Sequence, residues 1–485
     1  MSPILIVTCV AIYTILIFVV TYLTAKNADN TSFFIGNRSS KWYIVAYGMI
    51  GASLSGVTFL SVPGDVGKGS FSYLQMVLGY LLGYLVIAYV LLPLYYKLNL
   101  TSIYSYLKNR LGNYSYKTGA FFFIVSRIIG ASFRLYIVVN VLQIFVFDAW
   151  GVPFAITTLI FIILILSYTF KGGVKTIVWT DSLQTTFMIL SLILSIILIC
   201  RQLDFSLMEA IASIKNSMYS KVILTDWHEK AFFPKHFFGG MFIAIAMTGL
   251  DQEMMQKNIS CKNIKEAQKN MLSFSFVLIL VNFIFLCLGA LLYLYINSKG
   301  IVFPQRSTDD IFPTIALHHL GGLSALFFII GLISAAYPSA DGALTALTAS
   351  FCIDFLGFES KMNLSEIQKT RTRKIVHIGF SIVLFLVIII FRIMNDEAVI
   401  RKLFKFANYT YGPLLGLFFF GIFTKRKVND KLVPIICLLS PILCFILDAH
   451  SAEWFNGYYF GNELLILNGA LTFTGLNLVS VKSTA

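Results

Sequence analysis

Runs of about 20 apolar residues, the length a helix needs to cross bilayer hydrocarbon, follow one another almost without pause from Ile4 to the C-terminal end of this chain. Inside hydrocarbon every backbone donor and acceptor must be satisfied, so runs this long read as helices. Soluble domains carry roughly 25% charged residues. Here 12% are charged, 58% are hydrophobic and the mean hydropathy is +0.80. The expected class is an all-α integral membrane protein, with residues 1–485 forming one transmembrane unit.

The chain threads as about thirteen transmembrane helices, near 3–24, 43–66, 71–95, 118–147, 153–170, 175–200, 236–256, 271–297, 320–355, 376–394, 403–424, 433–449 and 461–480. A net charge of +14 would suggest nucleic acid as partner of a soluble protein. In a membrane chain it marks the loops kept in the cytoplasm. Lysines and arginines gather in alternate loops, around 26–41, 97–117, 171–175, 257–269, 361–374 and 425–431. That asymmetry predicts an N-terminus outside and a C-terminus in the cytoplasm. The destination is the cell (inner) membrane, with lipid as partner and no nucleic acid. The first run lacks a preceding basic residue and a small-residue cleavage site, so it reads as a retained helix. Seven cysteines stand without pairing or metal spacing and read as packing residues.

Polar residues inside apolar runs show where chemistry happens. Ser334-Ala335-Ala336-Tyr337-Pro338-Ser339-Ala340-Asp341-Gly342, followed by Thr345 and Thr348, lies deep in one such run. A carboxylate there costs several kcal/mol, by order of magnitude, unless it faces a cavity, a partner or a cation. Pro338 removes a donor and frees the carbonyl of Ser334, which predicts an interrupted helix. Carbonyls, hydroxyls and a carboxylate form an all-oxygen set suited to a hard cation. The alternative is a kinked helix packed through small residues.

Two other runs are interrupted. Gly51-Ala52-Ser53-Leu54-Ser55-Gly56 breaks the second, and Thr248-Gly249-Leu250-Asp251-Gln252 the seventh. Glycine lowers the cost of unwinding, and unwound backbone offers carbonyls to an ion or solute. Paired breaks at the starts of two five-helix stretches point to an inverted-repeat transporter with its site at the midplane.

Ionisable residues complete the set. Asp181 lies about 9 Å deeper than Lys175 at 1.5 Å per residue, where a carboxylate needs a partner. Glu253 and Lys257, one turn apart, read as an ordinary surface pair, and the deeper Asp251 as a contact for solute. Arg127 and Arg134 share one run. Arg134, nearer the middle, meets either an anionic solute or one of the aspartates. No HExxH, GxSxG, Walker A or paired CxxC points to an enzyme or a cofactor.

Several motifs occur in a specific order and spacing: Tyr104, Tyr106 and Leu107 with Arg110-Leu111-Gly112; Gly172-Gly173 through Trp179-Thr180-Asp181 to Gln184; Asp251-Gln252 with Gln256-Lys257 and Glu266-Ala267; and Ser339 to Asp354. Through them nearly the whole chain resembles the sodium:solute symporter family. The resemblance implies a LeuT-type core of inverted five-helix repeats (43–200 and 236–424), with one helix before it (3–24) and two after (433–480). It implies uptake of a small polar organic solute, such as a sugar, a sialic acid or another organic acid, with Na+ as coupling ion.

It further implies a main sodium site at Gly51, Leu54, Ala335, Pro338 and Ser339. A hydroxyl residue is usual where Pro338 stands, so this chain keeps one side-chain ligand instead of two. A second cation or proton site is implied at Asp181, Asp341 and Gly342. Implied solute contacts are Ser55, Thr58, Gln75, Arg134 and Asp251. The arginine favours a carboxylate-bearing solute, whereas Thr58, Gln75 and Asp251 suit a neutral sugar or polyol equally well. A proton-coupled carrier and a transporter-like sensor are the competing readings. Sensors carry a soluble signalling domain after the membrane part, and little sequence follows the last apolar run.

Overall fold

The computed structural model describes residues 3–24, 30–302, 307–358, 365–394 and 399–481. Its principal helices are α1 (Pro3–Thr24), α2 (Trp42–Gly69), α3 (Tyr73–Val86), α4 (Asn113–Leu142), α5 (Phe154–Gln202), α6 (Phe233–Ala244) and α7 (Gln252–Ile259). They continue with α8 (Ile264–Lys299), α9 (Gly322–Ser350), α10 (Glu366–Met394), α11 (Val399–Thr410), α12 (Gly412–Phe423), α13 (Val433–Ala449) and α14 (Leu464–Leu478). Among the described residues, eight helical segments are long and apolar enough to cross a membrane. A ninth crossing forms if α11 and α12, bent by 43°, make one span. Shorter apolar helices occupy Phe154–Phe170 and Leu464–Leu478. The chain is a multi-pass membrane protein.

Contacts between loops sort the helix ends into two groups. At one end Ser40 N–H donates to Ser260 O and Tyr96 Oη donates to Asn258 O. There, too, Arg110 binds the carbonyls of Gly421 and Arg426, and Asp430 caps α4 through the N–H groups of Tyr114 and Ser115. At the other end Phe71 N–H reaches Lys221 O, Arg401 pairs with Asp65, and Lys235 Nζ binds Tyr459 O. The first group contains the loops richest in lysine and arginine.

Two backbone breaks and one expected break that is absent position the interior. The α2 break falls on Ser55 (φ 33°, ψ 171°) and not on a glycine. A non-glycine residue held there stores on the order of 1–3 kcal/mol, a strain typical of ligand-handling positions. Gly56 serves packing instead, since a Cβ would collide with Val138 of α4. The second break lies where expected. A π-type turn over Ile245–Gly249 ends at Leu250, and Asp251 is extended before α7 begins. The carbonyls this releases are taken by tyrosine hydroxyls, Tyr95 on Gly249 O and Tyr104 on Leu250 O, both at 2.9 Å. Such pairing is what backbone broken at membrane depth requires.

The third expectation is corrected. Pro338 does not interrupt its helix; α9 runs unbroken from Gly322 to Ser350. Buried neighbours hold this stretch: Ser334 Oγ lies 2.8 Å from Tyr13 Oη, and Tyr337 Oη lies 3.1 Å from Thr14 Oγ1, which dock α1 on α9. Packing on α1 supports a helix that proline alone would weaken. The expected division between 170 and 175 is present as a kink. Gly173 (φ 51°) kinks the chain there and divides α5 into two helical segments, Phe154–Phe170 and Gly173–Gln202. Its left-handed φ suits glycine.

Close helix packing is clearest between α3 and α6. A Cβ on Gly79 would collide with Phe237 O, one on Gly83 with Met241 O, and one on Gly240 with Met76 O. These are backbone atoms and cannot move aside. In lipid, small residues that let backbones approach supply much of the association energy. Gly79→Ala is expected to destabilise the protein by about 1–3 kcal/mol through overpacking. Thermal unfolding of purified protein in detergent would show it, and an unchanged midpoint would refute the contact.

Candidate ion and solute site

Between the broken helices α2 and α6–α7, closed by α4 and α11, lies a cavity. Ser53, Ser55 and Thr58 from α2, Tyr73, Tyr80 and Tyr84 from α3, and Thr248 and Asn282 line it together with Arg127 and Arg134 of α4. Ile243, Met247, Leu278, Leu403 and Phe404 supply apolar wall. A smaller cavity adjoins it, sharing Arg127, Arg134, Met247 and Leu403 and extending to Thr410 and Tyr411. Aromatic walls with a few convergent polar groups are the usual form of a small-molecule site.

The two arginines differ in what they hold. Arg127 pairs with Glu253 and lies 3.6 Å from Asp251 Oδ2. Arg134 is 8% exposed, forms no ion pair with any described carboxylate, and its Nε has no hydrogen-bond partner among the described residues. Its guanidinium fork borders the cavity, and such a fork matches a carboxylate in geometry.

Beneath the cavity the ion pairs continue inward. Lys257 Nζ sits 3.1 Å from Glu253 Oε1 and 2.7 Å from Asp181 Oδ2, with each of these side chains at most 3% exposed. Glu253 and Lys257 are therefore a buried pair and not a surface one. Their helical spacing is as the sequence implies, but α5 and α9 cover that face. Among the described residues Asp181 accepts no well-directed hydrogen bond, and the ammonium of Lys257 is its principal partner. Asp341 is held by neutral donors, Tyr168 Oη at 2.8 Å and its neighbour Gly342 N–H at 2.5 Å. Asp181 and Asp341 lie within electrostatic reach of each other and of Lys257.

The remaining sequence candidates fall into place as follows. Gly51, Leu54, Ala335, Pro338 and Ser339 are all buried, in helices α2 and α9 that pack on each other and on α5. Gly51 N–H donates to Thr185 Oγ1 at 3.0 Å, and Ser339 Oγ makes only a 3.5 Å contact with Ala335 O. Among the described residues Gln184 has neither amide atom satisfied, and Thr345 Oγ1 and Ser191 Oγ are likewise without partners. Buried polar groups left unpaired in this way call for water or an ion. Ser55, Thr58 and Arg134 line the cavity.

Gln75 and Asp251 do not line it. Gln75 pins the 224–231 loop, donating to Ser72 O and Ala231 O and accepting from Leu224 N–H. Asp251 caps α7 through the N–H groups of Glu253 and Met254 and accepts from Tyr411 Oη at 2.9 Å. Gly342 also has a packing role, because a Cβ there would collide with Glu253 Oε1. The tyrosines of α3 and Asn282 give no signal in sequence, since tyrosines on an apolar helix look like core. The role of Lys257 is hidden by its place at a helix end.

The profile described as the sodium:solute symporter family matches residues 33–431. The sodium/sialic acid symporter NanT of Aliivibrio fischeri is 26% identical, over 92% of this chain and 88% of its own. The sodium/sialic acid symporter SiaT of Proteus mirabilis is 23% identical, over 94% and 92%. Among solved structures, a sodium-coupled sialic acid symporter in a substrate-bound outward-open state superposes with a TM-score of 0.82. It is 20% identical and covers 98% of this chain and 97% of its own. The nucleobase-cation symporter Mhp1 shares the fold more distantly, with a TM-score of 0.57 at 14% identity over 93% and 95%. The chain belongs to the sodium:solute symporter family and is a sodium-coupled transporter, not an enzyme.

Proposed function

We propose that the transported solute carries a carboxylate, of the sialic acid class, and that it enters the cell with sodium. The observation that carries this reading is Arg134, buried beside the cavity and paired with no described carboxylate, while Arg127 next to it is neutralised twice. Hydroxyls of Ser55, Thr58 and the α3 tyrosines suit the polyol part of such a solute. The names of the two bacterial relatives agree with this class. Labelled N-acetylneuraminic acid, offered to proteoliposomes under an inward sodium gradient, should accumulate. Equal uptake with potassium replacing sodium, or displacement by a neutral hexose but not by the acid, would reject the reading.

Sodium is assigned to Gly51, Leu54, Ala335, Pro338 and Ser339. What supports the assignment is the meeting of α2, just before its break, with α9 and the unsatisfied polar groups of α5. Ser339→Ala removes the single side-chain ligand, a group of about 1–2 kcal/mol, so the half-saturating sodium concentration should rise roughly 5- to 30-fold. Sodium titration of uptake measures it, and no change would move the site elsewhere.

The wider architecture proposed is thirteen crossings, two inverted five-helix repeats (43–200 and 236–424), one helix before and two after. The breaks at Ser55 and at Leu250–Asp251, in the first helix of each stretch, support it. The N-terminus is assigned to the outside and the C-terminus to the cytoplasm of the inner membrane. The gathering of the basic loops at one end of the helices supports that orientation.

A further inference from the structure

We propose that the ammonium of Lys257 is a built-in cation that occupies the place of a second transported ion at Asp181, so that each cycle carries one sodium. The inference rests on the sodium-coupled reading above and specifies its stoichiometry. Asp181 is fully buried, and its closest charged neighbour is Lys257 Nζ at 2.7 Å. The lysine is held on its other side by Glu253 Oε1 at 3.1 Å, and Glu253 in turn by Arg127. The lysine therefore spans two carboxylates from α5 and α7 and is itself 3% exposed. A mobile ion reaching Asp181 must displace a cation that cannot diffuse away, and an intramolecular competitor of this kind wins by effective concentration.

The oxygens of the nearby Asp341 are already held by neutral donors. Gly342, packed against Glu253, brings no side-chain oxygen, and Tyr168 commits its hydroxyl to Asp341 Oδ2. Gly342 is also the position that admits Glu253, because any Cβ there would collide with the Glu253 carboxylate. The absence of a side chain at 342 and the presence of a lysine at 257 thus belong to one arrangement. A carboxylate delivered by α7 brings its own ammonium to Asp181.

The test counts ions and needs no solute. Binding of radioactive sodium to purified full-length protein should saturate at about one ion per chain in the wild type and in Lys257→Arg, which keeps the charge. Lys257→Gln, monodisperse in gel filtration, should take up about one ion more, and adding Asp181→Asn should abolish the gain. Asp181→Asn alone should leave the single sodium and its affinity unchanged, which keeps the proposal testable if Lys257→Gln does not fold. Two ions in the wild type, no gain in folded Lys257→Gln, or loss of sodium from Asp181→Asn would each overturn it, leaving sodium coupling intact. A wild-type chain that binds no sodium would instead overturn the coupling itself, and this proposal with it. Failure of N-acetylneuraminic acid to be transported would leave the ion count unaffected.

Discussion

Arg134→Gln should weaken N-acetylneuraminic acid uptake by roughly 30-fold to several-thousand-fold, while half-saturation by sodium stays near the wild-type value. Truncating one partner of a buried, hydrogen-bonded charge pair costs about 2–5 kcal/mol, and each 1.4 kcal/mol is a factor of ten. A glutamine at this position would keep some hydrogen bonding but lose the planar, doubly donating fork that matches a carboxylate. Lysine should restore only part of the affinity, because a point charge does not reproduce that fork. Removing Arg134 is expected to cost little stability, since among the described residues no carboxylate depends on it. Concentration dependence of labelled uptake by wild type, Arg134→Gln and Arg134→Lys provides the check. An Arg134→Gln protein with wild-type affinity would place the carboxylate, or the solute, elsewhere.

The second large effect is structural. Arg127→Leu leaves Glu253 and Asp251 without the guanidinium that joins them, in a region where all three side chains are at most 3% exposed. Breaking a buried ion pair by deleting one member costs about 3–5 kcal/mol, because the remaining charge is stranded. Most of that cost should return when Glu253→Gln is added, since the two residues are in direct contact and their effects do not add. Thermal unfolding in detergent of the two single variants and the double variant measures the coupling. Equal midpoints for Arg127→Leu and the double variant would mean that the carboxylates are satisfied independently of Arg127.

These two arginines show how far the sequence can be read. Both are visible as charges inside an apolar run, and an anionic solute is one of the two readings open for Arg134. The ion pairing of Arg127, which leaves Arg134 as the proposed recognition group, requires α7, whose carboxylates come from a segment more than a hundred residues later. Asp251 looks like a solute contact for the same reason. Its depth is legible, but its use as the cap of α7 and as acceptor for Tyr411 is a property of the folded arrangement. Gln75 misleads because a glutamine on a membrane helix looks like a cavity residue until the 224–231 loop is laid over it.

Membrane class, the helical runs, the two broken segments and the family are all accessible without a structure. They depend on local quantities: hydropathy over about twenty residues, polar atoms that hydrocarbon penalises, and motifs in fixed order. That Asp181 needs a cationic partner follows from the same physics. That its partner is Lys257, that Ser55 carries the α2 break while Gly56 packs, and that Pro338 sits in an unbroken helix were decided only by packing. The need for a counter-charge or a neighbour is intrinsic to a residue, whereas the group that meets the need is chosen by which helices come to lie side by side.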